Sequence, residues 1–179
     1  TYYRHSEGGV TFSGGEPVVQ REFLLELLRQ CKEAGIQTAI ETAGNYAWEW
    51  LEEMLPHTDL VMHDLKILAP ELHEKFVGND GERIRSNFLR LAETGKPLIV
   101  RTPVIGGGND TVEEIGGIAR FIGGIESLLY YELLPYHPLG ESKRESLGQT
   151  AEDRFYTPDK EKMSELADVA RAFVGEVRP

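Results

Sequence analysis

An α/β fold of successive parallel β/α units is predicted by three features of this 179-residue sequence. Short runs rich in β-branched and aromatic residues alternate with segments whose apolar residues recur at helical spacing. The runs end in glycine or in polar residues, and the connections between them are short, which favours right-handed crossovers. A hydrophobic content of 40% is enough for one sizeable core, so residues 1–179 are expected to form a single domain.

The elements follow in order. Gly9–Ser13 is the first strand, closed by Gly14-Gly15, and residues 20–34 carry Phe23, Leu24, Leu27, Leu28 and Cys31 at helical spacing before Gly35 stops the helix. Ile36–Glu41 is the second strand, with a helix over Tyr46–Leu55. Asp59–Asp64 is the third, followed by helices over residues 70–76 and 80–94. The fourth strand, Leu98–Val104, leads through Gly106-Gly107-Gly108 into a helix over 111–122, where Asp110 and Glu113 have capping-box spacing. Ser127–Leu134 is the fifth, with a helix over 158–174, and the polar stretch Gly140–Asp159 is the most loop-like segment. About five units are too few for a closed eight-stranded barrel, and both a partial barrel and a doubly wound sheet fit the pattern.

Composition excludes several functions. Thirty acidic residues against nineteen basic ones give a net charge of −11, which repels nucleic acid and anionic lipid. No apolar run approaches the roughly 20 residues that span a bilayer, and a soluble, cytoplasmic protein is expected. With the single cysteine Cys31, neither an intrachain disulfide nor a multi-cysteine metal site can form from these residues.

Parallel β/α folds build their sites at the carboxy-terminal strand ends, and the residues there are polar. They are Gly14, Gly15 and Glu16; Glu41; Asp64 with Lys66; Arg101 within an apolar strand; and His137. Each has a plainer reading alone. Glu16 suits a helix amino terminus, Asp64 and Lys66 suit a structural ion pair, and His137 beside Pro138 suits a loop. Asn109, Asp110 and Glu113 are read as turn and cap residues. Arg101 needs a partner if buried. The joint placement of the others predicts a ligand site.

The run Gly8-Gly9-Val10-Thr11-Phe12-Ser13-Gly14-Gly15-Glu16-Pro17 resembles the glycine-glycine-glutamate segment of the radical S-adenosylmethionine enzymes that activate glycyl radical enzymes, the pyruvate formate-lyase activating type among them. Glu41-Thr42-Ala43-Gly44, Asp64-Leu65-Lys66 and Leu133–Gly140 resemble further stretches of that family, in order, from residue 8 to about 148. The resemblance implies a partial (β/α) barrel that binds S-adenosylmethionine beside a 4Fe–4S cluster. It also implies reductive cleavage of that cofactor to a 5′-deoxyadenosyl radical, and hydrogen abstraction from a glycine of a partner such as a pyruvate formate-lyase-like enzyme. Carried onto this chain, Gly14, Gly15 and Glu16 receive the methionyl amino group, and Glu41, Asp64, Lys66, Arg101 and His137 surround the rest of the cofactor. In some members the acids at the Glu41 and Asp64 positions also hold a monovalent cation. Glu41 is longer than the aspartate of the pyruvate formate-lyase type, and Gly106–Gly108 replaces a proline-containing turn.

The family's C-x3-C-x2-C cluster segment has no counterpart here, and Cys31 lies on the apolar face of the first helix, where a buried, inert thiol is expected. Residues 1–179 are accordingly expected to be a fragment, inactive without those cysteines. Two other readings compete. A metal-dependent barrel lyase or isomerase would use Glu41, Asp64 and His137 as ligands and Lys66 as base, and a degenerate, non-catalytic binding module would keep only the pocket or partner surface.

Overall fold

The structure, a computed structural model, describes residues 8–137 and 155–179. Thr1–His5, the Pro138-Leu139-Gly140 end of the last family stretch, and residues 141–154 of the loop-like segment lie outside the described residues.

Six strands form one parallel sheet in sequential order: β1 (Gly9–Phe12), β2 (Gln37–Thr42), β3 (Leu60–Asp64), β4 (Leu98–Val104), β5 (Leu128–Pro135) and β6 (Val177–Arg178). Sequential order is the winding of a barrel sheet. A doubly wound sheet reverses at a switch point, so the strand order decides between the two predicted architectures. The sixth strand was not predicted, because two residues carry no periodicity to read. The helices are α1 (Arg21–Glu33), α2 (Trp48–Met54), α3 (Pro70–Val77), α4 (Glu82–Glu93), α5 (Val112–Ile122) and α6 (Lys160–Arg171). Each falls within two or three residues of its predicted range.

The chain divides into two compact units. Among the described residues, the first comprises 8–64, 81–100 and 125–129, and the second 65–80, 101–124, 130–137 and 155–179. In the first, β1 pairs with β2 from Gly9↔Gln37 to Phe12↔Ile40, and β2 with β3 from Ala39↔Leu60 to Thr42↔His63. Leu28, Ile40, Met54, Val61, Phe88 and Leu91 are each 0% exposed there, which stabilises the unit by about 1.5–3 kcal/mol per side chain. The buried stripe of α1 is Leu24, Leu25 and Leu28, whereas Phe23 is 63% exposed and Cys31 only half-buried, so both depart from the predicted apolar face. The helix is rotated so that its 24–28 side meets the sheet. It ends in a Schellman turn, with Ile36 N–H donating to the Cys31 carbonyl at 2.9 Å and Gly35 N–H to that of Lys32 at 3.0 Å.

The last turn of α1 also anchors β3. The Asp59 carboxylate accepts from Thr38 N–H at 2.9 Å and from the Lys32 ammonium. Burial opposes its charge, but the Lys32 and Thr38 bonds outweigh burial and hold its carboxyl below the usual range. A depressed carboxylate contributes stability above its unfolded pKa of about 3.9 and loses it as pH falls through the folded value. Asp59→Asn is therefore expected to lower the thermal midpoint at pH 7, with the difference from the parent shrinking as pH is lowered below 4. A constant difference across that range would refute the assignment.

In the second unit, α5 packs on α6, where a Cβ on Gly116 would stand 3.1 Å from Val169, and Ile115, Ile118 and Ile122 of α5 and Leu166, Ala167 and Ala170 of α6 are all 0% exposed. Tyr131 and Leu133 of β5 are equally buried. The helix cap differs from the predicted box. Thr111, not Asp110, is the N-cap, accepting from Glu114 N–H at 3.1 Å, because α5 begins one residue later. Asp110 instead accepts from Gly107 N–H at 3.0 Å and from the Tyr156 hydroxyl at 3.1 Å. Glu113 is exposed.

Candidate functional site

In the first unit, β1 delivers Gly14, Gly15 and Glu16 to its carboxy-terminal end. Glu16 caps the 3-10 turn Pro17–Val19, accepting from Val18 N–H at 3.3 Å. Its other oxygen accepts from Ala43 N–H at 2.9 Å, and both oxygens lie 2.9 Å from the Thr42 hydroxyl at the end of β2. Thr42 owns one hydroxyl proton and an ionised carboxylate can only accept, so that proton goes to Glu16. The Thr42 oxygen must then accept from the Tyr46 hydroxyl at 2.9 Å and from Gly44 N–H at 3.0 Å. Burial, foremost, raises the Tyr46 phenol above its ordinary pKa, the Thr42 bond opposes this and the Glu16 charge adds to it, so Tyr46 is a neutral donor.

Three protein donors thus already occupy the Glu16 carboxylate, which leaves about one lone-pair direction for a ligand. Its principal work is to tie the end of β1 to the end of β2. The backbone it holds is open, since nothing lies within 4 Å of where a Cβ would stand on Gly14 or Gly15. The 44–46 loop is fixed in turn by Asn87 of α4, whose amide donates to the carbonyls of Gly44 and Tyr46, both at 2.8 Å.

Glu41 and Asp64 share a face of the first unit. Glu41 is in register with Met62, two residues before Asp64, and side chains alternate along a strand. Thr42 and His63 are on the opposite, buried face, where His63 meets the Phe88 ring at 5.2 Å. Glu41 and Asp64 are half-buried.

The second unit holds Lys66, Arg101 and His137. Lys66 is exposed and follows Leu65, which is 1% exposed. Arg101 is half-buried and alternates with Val100, Thr102 and Val104, each 0% exposed, so it lies on the other face of β4. His137 is exposed just past the end of β5, and the preceding Tyr136 N–H donates to the Val104 carbonyl at 3.0 Å. The Thr102 hydroxyl donates to the Leu65 carbonyl at 2.6 Å and accepts from the Tyr131 hydroxyl at 2.9 Å. A buried tyrosine–threonine pair therefore fixes a strand-end loop in each unit.

Thr42, Tyr46, Asn87, Thr102, Asn109 and Glu114 escaped the sequence reading as site residues. Their only trace in the sequence is polarity: Tyr46, Asn87, Thr102 and Glu114 fall inside predicted strands or helices and Thr42 and Asn109 just beyond them, and burying such a group requires a partner.

The chemistry of these residues fits S-adenosylmethionine. Exposed carbonyls and carboxylates accept from an ammonium, and a lysine on a held backbone pairs with a carboxylate. It does not fit a 4Fe–4S cluster. Three thiolates are needed, the chain has one cysteine, and among the described residues no group of three His, Cys, Asp or Glu could hold a metal ion. The grouping of Glu41, Asp64 and His137 that a metal-dependent lyase needs is likewise not formed among the described residues. Nor is any helix among them long and apolar enough to cross a membrane.

The family model described as the radical SAM superfamily matches residues 2–122. The isethionate sulfite-lyase activating enzyme of Desulfovibrio desulfuricans is 43% identical over 150 residues, which are 83% of this chain and 48% of that protein. The pyruvate formate-lyase-activating enzyme of Clostridium pasteurianum is 41% identical over 167 residues, 92% of this chain and 69% of that protein. A solved domain of pyruvate-formate lyase-activating enzyme from Bacteroides vulgatus superposes with a TM-score of 0.79 at 30% identity, covering 95% of this chain and 97% of that one. The chain spans about half the length of several curated relatives, 47% and 55% in two further cases.

Proposed function

This chain belongs to the radical SAM superfamily, among the activating enzymes of glycyl radical enzymes, and from that membership we propose that the complete protein is a glycyl-radical-enzyme activating enzyme of the pyruvate formate-lyase-activating type. It is an oxidoreductase that reductively cleaves S-adenosylmethionine and generates a glycyl radical on a partner enzyme. The observation that carries this reading is the glycine-glycine-glutamate loop, locked by Glu16 onto Thr42 and Ala43 with the Gly14 and Gly15 backbone left open.

S-adenosylmethionine, when bound, supplies the sulfonium carbon–sulfur bond from which the adenosyl radical derives. The residues of this chain bind and orient it. The carbonyls of Gly14 and Gly15 accept from its ammonium, and Glu16 holds them in place. Lys66 pairs with its carboxylate, Arg101 and His137 contact the remainder, and Glu41 and Asp64 provide oxygens for the cofactor or a monovalent cation. The 4Fe–4S cluster belongs to the complete protein and rests on no residue described above. The partner is a glycyl radical enzyme, and relatives are named for several different ones, among them 4-hydroxyphenylacetate decarboxylase. The acidic charge of the sequence fits a cytoplasmic place and argues against nucleic acid and anionic lipid as partners.

Calorimetric titration of S-adenosylmethionine into the full polypeptide tests the assignment. Lys66→Ala and Glu16→Ala are each expected to weaken binding by about 1–3 kcal/mol, the worth of a charge-assisted hydrogen bond or its support. Unchanged affinity in both variants would sink it.

A further inference from the structure

The backbone that carries Lys66 is held by a set of side chains that make no use of the lysine itself. Asn109 is 2% exposed and spends its whole amide on three backbone groups. One N–H donates to the Lys66 carbonyl at 2.6 Å, the other to the Pro103 carbonyl at 2.9 Å, and its oxygen accepts from Ile105 N–H at 2.7 Å. That set of partners also fixes which way the amide points. Glu114 of α5, 6% exposed, accepts from the N–H groups of Leu68 and Ala69, the latter at 3.3 Å. Thr102 holds the Leu65 carbonyl. The segment 65–69 has no regular secondary structure, yet four of its backbone groups are satisfied by three buried side chains from the second unit.

Burying an amide and a carboxylate is costly unless each is fully bonded; here Glu114 is spent on that irregular segment, and Asn109 ties its Lys66 carbonyl to the turn at Pro103 and Ile105. Three buried side chains converge on these five residues. A lysine loses rotamer freedom when it binds an anion, and a mobile backbone beneath it would add to that loss. We propose that Asn109, supported by Glu114 and Thr102, is a positioning residue that presents Lys66 to the carboxylate of the cofactor. This rests on the assignment of Lys66 made above, and it concerns a residue that the sequence assigns to mere turn chemistry.

A double-mutant cycle separates the two claims. S-adenosylmethionine is titrated calorimetrically into the full polypeptide bearing Asn109→Asp, Lys66→Met, or both, with thermal unfolding recorded for each. Asn109→Asp keeps the size and the acceptor to Ile105 but turns both donors into acceptors. It is expected to raise the Kd roughly tenfold with Lys66 present and less than twofold in the Lys66→Met background. An equal tenfold loss in both backgrounds, or no loss with Lys66 present, overturns the positioning role. If Lys66→Met alone leaves the Kd unchanged, the Lys66 assignment itself fails, which is a different outcome. Should Asn109→Asp not unfold cooperatively, the same cycle with Glu114→Ala, which removes the acceptor for Leu68 and Ala69, decides the matter on the same criteria.

Discussion

Residues 1–179, reconstituted anaerobically with iron and sulfide, are expected to stay colourless and to release no 5′-deoxyadenosine from S-adenosylmethionine under a strong reductant. The effect is complete loss, because a site-differentiated 4Fe–4S cluster needs three protein thiolates within reach of one another. Cys31 offers one, half-buried on α1 and followed by the Schellman turn at Gly35. Carboxylates and histidines do not substitute, since no suitable group of three exists among the described residues. Placing a C-x3-C-x2-C segment ahead of residue 1, within the full polypeptide, is expected to restore both colour and cleavage. Cluster absorbance and cleavage by residues 1–179 alone, at rates matching the full polypeptide, would contradict the reading of this chain as holding the cofactor without the cluster.

Gly44→Ala is expected to destabilise the first unit strongly, because it combines two independent costs. Gly44 has φ +77°, a conformation that costs an L-residue roughly 1–2 kcal/mol. A Cβ there would also stand 2.5 Å from Nε2 of His63, which is 1% exposed and wedged against Phe88. Overpacking of that kind costs about 1–3 kcal/mol, for roughly 2–5 kcal/mol in all. Gly35→Ala is the control, with φ +70° but nothing within 4 Å of the new methyl, so only the conformational cost applies. Chemical denaturation of both variants is expected to show Gly44→Ala losing at least twice as much stability. Because Gly44 N–H donates to Thr42, which holds Glu16, binding of S-adenosylmethionine is expected to weaken as well. Equal losses in the two variants would mean that His63 yields freely.

The residues that make secondary structure were legible because their signals are local. Gly35 after the apolar run of α1 and the β-branched run before Gly14 each report a backbone choice made within a few residues. The polar strand ends were legible for the same reason. What holds those ends in place was not, because it depends on partners far apart in sequence. Glu16 reads as a helix-terminus charge or a ligand contact, and its bonds to Thr42 and Ala43, some 26 residues away, follow only from the β1–β2 register. Asn109 reads as a turn residue beside three glycines, and its bond to the Lys66 carbonyl spans 43 positions. The α5 cap also involves distant partners: Thr111 caps the helix, but Glu114, which would close a capping box with it, is drawn away to Leu68 and Ala69, 46 and 45 positions upstream. Phe23 shows the opposite limit, since periodicity marks it apolar but cannot say that the buried stripe of α1 runs along Leu24, Leu25 and Leu28.

Electron paramagnetic resonance of a partner's glycyl radical tests the central claim most directly. The full polypeptide, loaded with its cluster and reduced, is mixed with S-adenosylmethionine and in turn with pyruvate formate-lyase, isethionate sulfite-lyase and 4-hydroxyphenylacetate decarboxylase. A glycyl radical signal on one of them, with 5′-deoxyadenosine formed in step and both abolished by Lys66→Ala, is the predicted result. Steady cleavage of S-adenosylmethionine that leaves no glycine-centred radical on any of the three, or a loaded cluster with no cleavage at all, would contradict it.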